Sequence, residues 1–327
     1  MKTDDQKRNI RIDTLRGLAC IFLVAYHVIG ITPESGLRIH EGVLKTGNTL
    51  LAYIRMPLFT FLSGFVYAWR PFTADYRKFI TGKIRRLIIP MLVVGTIFAV
   101  FQAITPGTNA SIADWRLLHL IPVAHYWFIE SLFLIFLVLI PLEKFNILTN
   151  RTGFFSVFTI ASLLYIANSG TPWLSIAGAV YLFPYFLIGL FFSRFPATPE
   201  PRKIIGYALL TVIVLFLLFY GQEYGGARRS LNALVIGSFS CIALLMTEFE
   251  SKLLARIGFY SYSIYLFHVF FTAASRIVFT KFGISNIWLL FVFGTLLGLA
   301  GPIIFEIIAS KADFTRIYFL GKRPKTA

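Results

Sequence analysis

Arg16 and His27 are the pair whose spacing suggests chemistry by itself. They lie in the first apolar run, Ile10-Arg11-Ile12-Asp13-Thr14-Leu15-Arg16-Gly17-Leu18-Ala19-Cys20, which stays apolar to Gly30. On a helix, eleven residues at about 100° each end about 20° past three full turns, so both side chains share a face. They are then about 16 Å apart along the axis. A cation at a membrane surface with a titratable ring buried above it suits an elongated ligand with an anionic end. His27 is therefore the candidate general base. The plainer alternative is a histidine that only hydrogen-bonds two helices together.

Other polar groups fall inside apolar runs, where Asp, Lys or Arg costs about 2.5–3.5 kcal/mol at mid-span on insertion scales. Glu130, in His125-Tyr126-Trp127-Phe128-Ile129-Glu130, is about five residues in from the outer end of its run, and Arg55 about eight. The helical rise puts His27, Arg55 and Glu130 within about 6–12 Å of the outer boundary, a depth compatible with one site. Glu130 is read either as orienting His27 or acting as a second acid/base, or as pairing with Arg55 for packing. Arg55 is read either as neutralising an oxyanion or binding substrate, or as snorkelling outward. At the inner face, Lys83-Ile84-Arg85-Arg86 offers phosphates a cationic cluster, although topological anchoring explains each residue equally well. His268 reads as a buried, hydrogen-bonded residue, and His40, His119 and His125 as solvated residues of outer loops or a span edge.

Several chemistries have no sequence support. There is no HExxH, no cysteine pair with metal spacing, no Walker loop, no GxGxxG after a strand and no GxSxG elbow. Cys20 and Cys241 both fall in apolar runs and offer no disulfide framework. No metal is expected.

The elements that must position these residues are membrane helices. The chain of 327 residues is 57% hydrophobic and only 14% charged, the composition of an all-α polytopic membrane protein. Apolar runs at 14–31, 47–69, 84–104, 125–142, 153–168, 173–193, 204–220, 230–247, 256–279 and 286–310 predict a bundle of about ten transmembrane helices. The net charge of +16 is not a nucleic-acid signal. With the N-terminus inside, 23 of the 31 lysines and arginines fall on the cytoplasmic side, which orients both termini inward and favours contact with anionic lipids. Turn chemistry at Pro106-Gly107-Thr108-Asn109 stops one helix, and Pro196, Pro199 and Pro201 mark an inner connection. Lys2, Lys7, Arg8 and Arg11 precede the first run as in a signal peptide, yet no small-x-small cleavage site follows before Pro33, so the run is read as a retained helix. The organisation is one transmembrane domain over 1–327 with short cytoplasmic tails 1–13 and 311–327.

Four stretches, taken in order, carry a family resemblance. They are Thr14-Leu15-Arg16-Gly17-Leu18-Ala19 with His27; Met56-Pro57-Leu58-Phe59-Thr60-Phe61-Leu62-Ser63-Gly64-Phe65; Trp127-Phe128-Ile129-Glu130; and Ile257-Gly258-Phe259-Tyr260-Ser261-Tyr262-Ser263-Ile264-Tyr265-Leu266-Phe267-His268. Together they resemble the acyltransferase 3 family of integral-membrane O-acyltransferases, with its Arg-x10-His motif. The pattern is similar to the fucose 4-O-acetylase-like branch that modifies surface polysaccharides. One departure is that the family's Arg-x-x-Arg at the third helix reads Lys83-x-x-Arg86 here, and lysine lacks the bidentate fork. With no appended soluble hydrolase-like domain read after it, the membrane part is expected to do all the work.

The resemblance implies an acyl-coenzyme A donor, usually acetyl-CoA, a carbohydrate hydroxyl as acceptor, and residence in the inner membrane of a bacterial cell. It implies donor binding by Arg16, Lys83, Arg85 and Arg86, catalysis by His27 and Glu130, and substrate contacts from Arg55, Ser63 and Trp127. The outer-half depth of His27 and Glu130, rather than the resemblance, predicts that the acceptor, a glycan or lipid-linked sugar, arrives from the external face. The rival reading is a proton-coupled secondary transporter with His27, Glu130 and Arg55 as a relay. The sequence shows neither the internal repeat nor the paired broken helices that would favour it.

Overall fold

The computed structural model describes residues 9–30, 32, 34–105, 114–196, 201–224 and 229–325. The expected turn at Pro106-Gly107-Thr108-Asn109, together with Lys2, Lys7, Arg8, Pro33 and Pro199, lies outside the described residues. The described chain is built of helices: α1 (Ile10–Ile29), α2 (Val43–Leu50), α3 (Ala52–Tyr67), α4 (Tyr76–Lys83), a π-helical turn (Ile84–Ile88) and α5 (Ile89–Ile104). Then follow α6 (Trp127–Lys144), α7 (Arg151–Ile166), α8 (Ile176–Arg194), α9 (Arg202–Tyr224) and α10 (Leu231–Met246). The last four are α11 (Lys252–Phe259), α12 (Ser261–Lys281), α13 (Ile287–Ala309) and α14 (Asp313–Tyr318). In hydrocarbon, backbone groups cannot turn to water, so apolar runs of this length satisfy themselves as helices.

Among the described residues seven helices are long and apolar enough to cross a membrane, or eight if α2 and α3, bent by 41° at Leu51, form one span. α7 and α10 are apolar but only 16 residues long, about 24 Å of helix against about 30 Å of hydrocarbon. These segments overlap the ten apolar runs of the sequence. Three of them differ in detail. The third helix begins at Tyr76, capped by Asp75 accepting from the Lys78 N–H, so the basic stretch before residue 84 is helical rather than loop. The ninth run breaks at Tyr260, between α12 and a separate α11 whose start is capped by Ser251. The first helix starts at Ile10, capped by Asn9, four residues before the expected span.

The chain divides into two units. The first comprises residues 1–62, 196–228 and 235–303, and the second 63–195, 229–234 and 304–327. In the first unit α1 packs on α11 almost backbone to backbone. A Cβ on Gly17 would lie 2.0 Å from the Leu254 carbonyl oxygen, and one on Gly258 would lie 1.9 Å from that of Asp13. Only glycine permits that approach. Thr14, fully buried, donates to the Ile10 carbonyl at 2.7 Å and accepts from the Ser251 N–H at 3.1 Å, fixing where α11 starts. Helix α12 also packs on α1.

In the second unit α6 packs on α8, and α8 on α7. Tyr67, Phe79, Phe136 and Phe186 form an aromatic cluster with ring centroids 5.7–6.4 Å apart. The buried Glu143 carboxylate accepts from Arg194 at 2.5 Å. Ser131 and Ser175 share a hydrogen bond at 2.7 Å, one hydroxyl donating to the other and the accepting one donating to the Trp127 carbonyl that lies within reach of both, which joins the first turn of α6 to the start of α8.

Candidate active site

Within the first unit α1 runs unbroken from Arg16 to His27, so the shared face read from the spacing is realised. Arg16 is half-buried and pairs with the buried Asp13 at 3.0 Å, a carboxylate one turn away that holds the guanidinium in place. The packing of α11 explains Thr14 and Gly17 of the Thr14-Leu15-Arg16-Gly17 stretch. It leaves Arg16 as the member with a polar group toward the surface.

His27 is half-buried, two residues before the helix ends at Ile29. Its ring meets Tyr26 edge-on at 4.9 Å and His268 of α12 at 4.7 Å between centroids, with 64° between the two histidine planes. His268 is completely buried. Its Nδ1 lies 2.8 Å from the Ile264 carbonyl oxygen and 2.9 Å from that of Tyr265. Sequence reasoning gave His268 no part in the site. The two histidines belong to helices at opposite ends of the chain, and no local pattern signals their meeting.

Arg55 is buried, with only 4% of its surface exposed, and does not snorkel. Its Nη2 donates to the Asn48 carbonyl at 3.0 Å and to Asn48 Oδ1 at 2.7 Å, and its guanidinium stacks 3.9 Å over the Tyr26 ring. Asn48 in turn donates to the Gly30 carbonyl at 3.1 Å. Arg55 thus ties the α2–α3 bend to the end of α1 that carries His27.

In the second unit Glu130 is 6% exposed, and neither carboxylate oxygen has a hydrogen-bond partner among the described residues. A buried carboxylate left without partners is costly and marks a place where a proton or a ligand donor is needed. Trp127, one turn earlier on α6, is half-buried beside Tyr181 at 6.3 Å. Ser63 on α3 is half-buried. Lys83 does not point freely outward: its Nζ sits 3.4 Å over the Phe136 ring and 5.1 Å from Phe79. Arg85 and Arg86 follow in the π-helical turn, a widened geometry frequent at functional sites. Arg86 is exposed, and the buried Nε of Arg85 has no acceptor among the described residues.

Two outer histidines are not solvated as expected. His125 is buried, with its ring 4.1 Å from Tyr126. His119 is half-buried, and its Nε2 lies 2.9 Å from Thr96 Oγ1. That hydroxyl already donates to the Leu92 carbonyl at 2.7 Å, so Nε2–H is the donor to it. Burial pushes the His119 ring below the usual histidine range. No group of three or more metal-ligating side chains occurs among the described residues.

Apolar helices in this number define a multi-pass integral membrane protein, and each unit carries polar groups within its helices: a cation and a histidine on one face of α1 in the first, and in the second a carboxylate without hydrogen-bond partners among the described residues. The acyltransferase-domain model of the acyltransferase 3 family matches residues 9–307, nearly the whole chain, and the chain belongs to that family. It is a membrane acyltransferase. Comparison with curated proteins and with solved structures gave no match.

Proposed function

We propose that the protein moves an acyl group, acetyl in the simplest case, from acyl-coenzyme A on the cytoplasmic face to a hydroxyl of a cell-surface or lipid-linked carbohydrate. The finer placement proposed is the fucose 4-O-acetylase-like, polysaccharide-modifying branch. The observation that carries this reading is the unbroken α1, with Arg16 toward its N-terminal end and His27 near its C-terminal end. The span of about 16 Å between them suits a long donor arm, with its charged end at the arginine and its reacting end at the imidazole.

When bound, the coenzyme would supply an activated thioester carbonyl. The protein's part is to bind, orient and move a proton. Arg85 supports phosphate binding through its acceptor-less Nε, and Arg86 through its exposure. Lys83, held over Phe136, is assigned to the same cluster as a cation that borders it. His27 takes the proton from the acceptor hydroxyl, and Glu130 acts as a second acid/base or holds a sugar hydroxyl in its dry surroundings. Trp127, Ser63 and Arg55 are the candidate acceptor contacts. Excluding water would also limit hydrolysis of the thioester.

The test is release of free thiol from acetyl-CoA by the purified protein, with and without candidate glycans. Turnover should require a glycan. His27→Ala should cut it by about 10²–10⁴-fold without loss of folded protein. Arg86→Ala should chiefly raise KM for the coenzyme. Solute flux with no thiol release would instead establish the transporter alternative, with His27, Glu130 and Arg55 as relay.

A further inference from the structure

A base that works through one ring nitrogen needs its other nitrogen committed. In histidine-based catalysis that commitment comes from a third group, which fixes tautomer and ring orientation together. The first unit supplies such a group in His268. Carbonyl oxygens only accept hydrogen bonds, so the Nδ1 of His268, 2.8 Å from the Ile264 oxygen and 2.9 Å from the Tyr265 oxygen, must carry a proton. In the neutral ring Nε2 is then the bare, accepting nitrogen. Nδ1 faces its own helix, so Nε2 lies on the edge directed away from the α12 backbone. The imidazole packed against His268 is that of His27, edge to face at 4.7 Å between centroids, although in this conformation Nε2 does not yet hydrogen-bond the His27 ring.

We propose that His268 is the positioning residue of His27, its Nε2 accepting the ring N–H of His27 once that adjacent ring turns into line with it, as catalytic hydrogen bonds do from a looser resting geometry, and so leaving the other nitrogen of His27 as the base. The inference rests on His27 being the base of the acyl transfer proposed above. The proton balance closes without further reactants. His27 takes the proton of the acceptor hydroxyl and returns it to the departing thiolate, while His268 keeps its Nδ1 proton throughout. A neutral acceptor partner has a further use at this depth, since it fixes the ring without adding a buried negative charge. Polar groups near the pair include Tyr26, edge-on to His27 at 4.9 Å, Tyr265, 6.4 Å from His268, and Arg55, whose charge is stacked on Tyr26.

The experiment compares two amide replacements in the full-length protein in detergent. His268→Asn retains a donor for the Ile264 and Tyr265 carbonyls but ends short of His27. His268→Gln places an amide oxygen near the position of Nε2. The five histidines are labelled with nitrogen-15, and the His27 signals are identified by their absence in His27→Gln. The wild-type ring should show one fixed neutral tautomer. His268→Asn should move the His27 nitrogens toward the averaged positions of exchanging tautomers, and His268→Gln should keep the wild-type pattern. In parallel, kcat should fall about 10–100-fold in His268→Asn, with KM for the coenzyme within about twofold, and recover in part in His268→Gln. An unchanged His27 spectrum in His268→Asn, or equal spectra and equal turnover in both variants, overturns the proposal. The spectra need no turnover. A wild-type protein with a locked tautomer but no thiol release would sink the acyl-transfer reading alone, and normal turnover in His268→Asn would sink only this one.

Discussion

A buried guanidinium can serve a substrate or the fold, and the partners Asn48 and Tyr26 of Arg55 belong to the fold. Nη2 makes two hydrogen bonds to Asn48, and the charge rests on Tyr26. Arg55→Leu would leave the carbonyl and Oδ1 of Asn48 buried and unsatisfied, a loss of about 2–4 kcal/mol. The expected outcome is a lower melting temperature in detergent, and a double variant with Asn48→Ala that costs less than the sum of the two singles. Unchanged melting with lost turnover would return Arg55 to the substrate. Depth and type made Arg16, His27 and Glu130 legible in the sequence, because helical geometry alone fixes which residues share a face and how far in they lie. His268 was not legible as a partner of His27, since that contact is made by tertiary packing of α12 on α1.

Apolar runs reveal where helices lie but not where they break. The bend at Leu51, the interruption at Tyr260 and the π-helical turn at Ile84–Ile88 carry no hydropathy signal. Each is set by what packs around it, as Thr14 and Ser251 set the start of α11. The outer loop behaves likewise. His119 looks like a solvated loop residue in sequence, yet its bond to Thr96 joins the loop before α6 to α5. This tie has a pH signature. Burial lowers the folded-state ring below its unfolded value of about 6.5, so between the two values the unfolded chain binds more protons. The stabilisation from neutral His119 is thus present above about pH 6.5 and is lost as pH falls below it. Melting should drop between about pH 7.5 and pH 5.5, and drop less in His119→Gln, which keeps a donor to Thr96 but cannot titrate. Equal drops in both proteins would show that His119 is not the group responsible.

For the whole molecule, the distribution of charge says more than its sum. In the topology proposed on the positive-inside rule, 23 of the 31 lysines and arginines share the cytoplasmic side with both termini. Arg16 lies toward the N-terminal end of α1 and His27 near its C-terminal end, so in that proposed topology the two ends of the reaction face opposite compartments. A donor held by its phosphates at the basic side and an acceptor reaching His27 from the other side would need no passage of either charged molecule through hydrocarbon. Sealed vesicles containing the purified protein test this directly. Orientation is read with Lys325→Cys and an impermeant thiol reagent, because the native Cys20 and Cys241 are buried and give little background. Acetyl-CoA on the Lys325 side and an impermeant glycan on the opposite side should yield acylated glycan, whereas both reactants confined to the Lys325 side should yield none. Product formed only when the glycan shares the coenzyme's compartment would place the acceptor entrance at the cytoplasmic face and remove the reason for a base so near the outer end of α1.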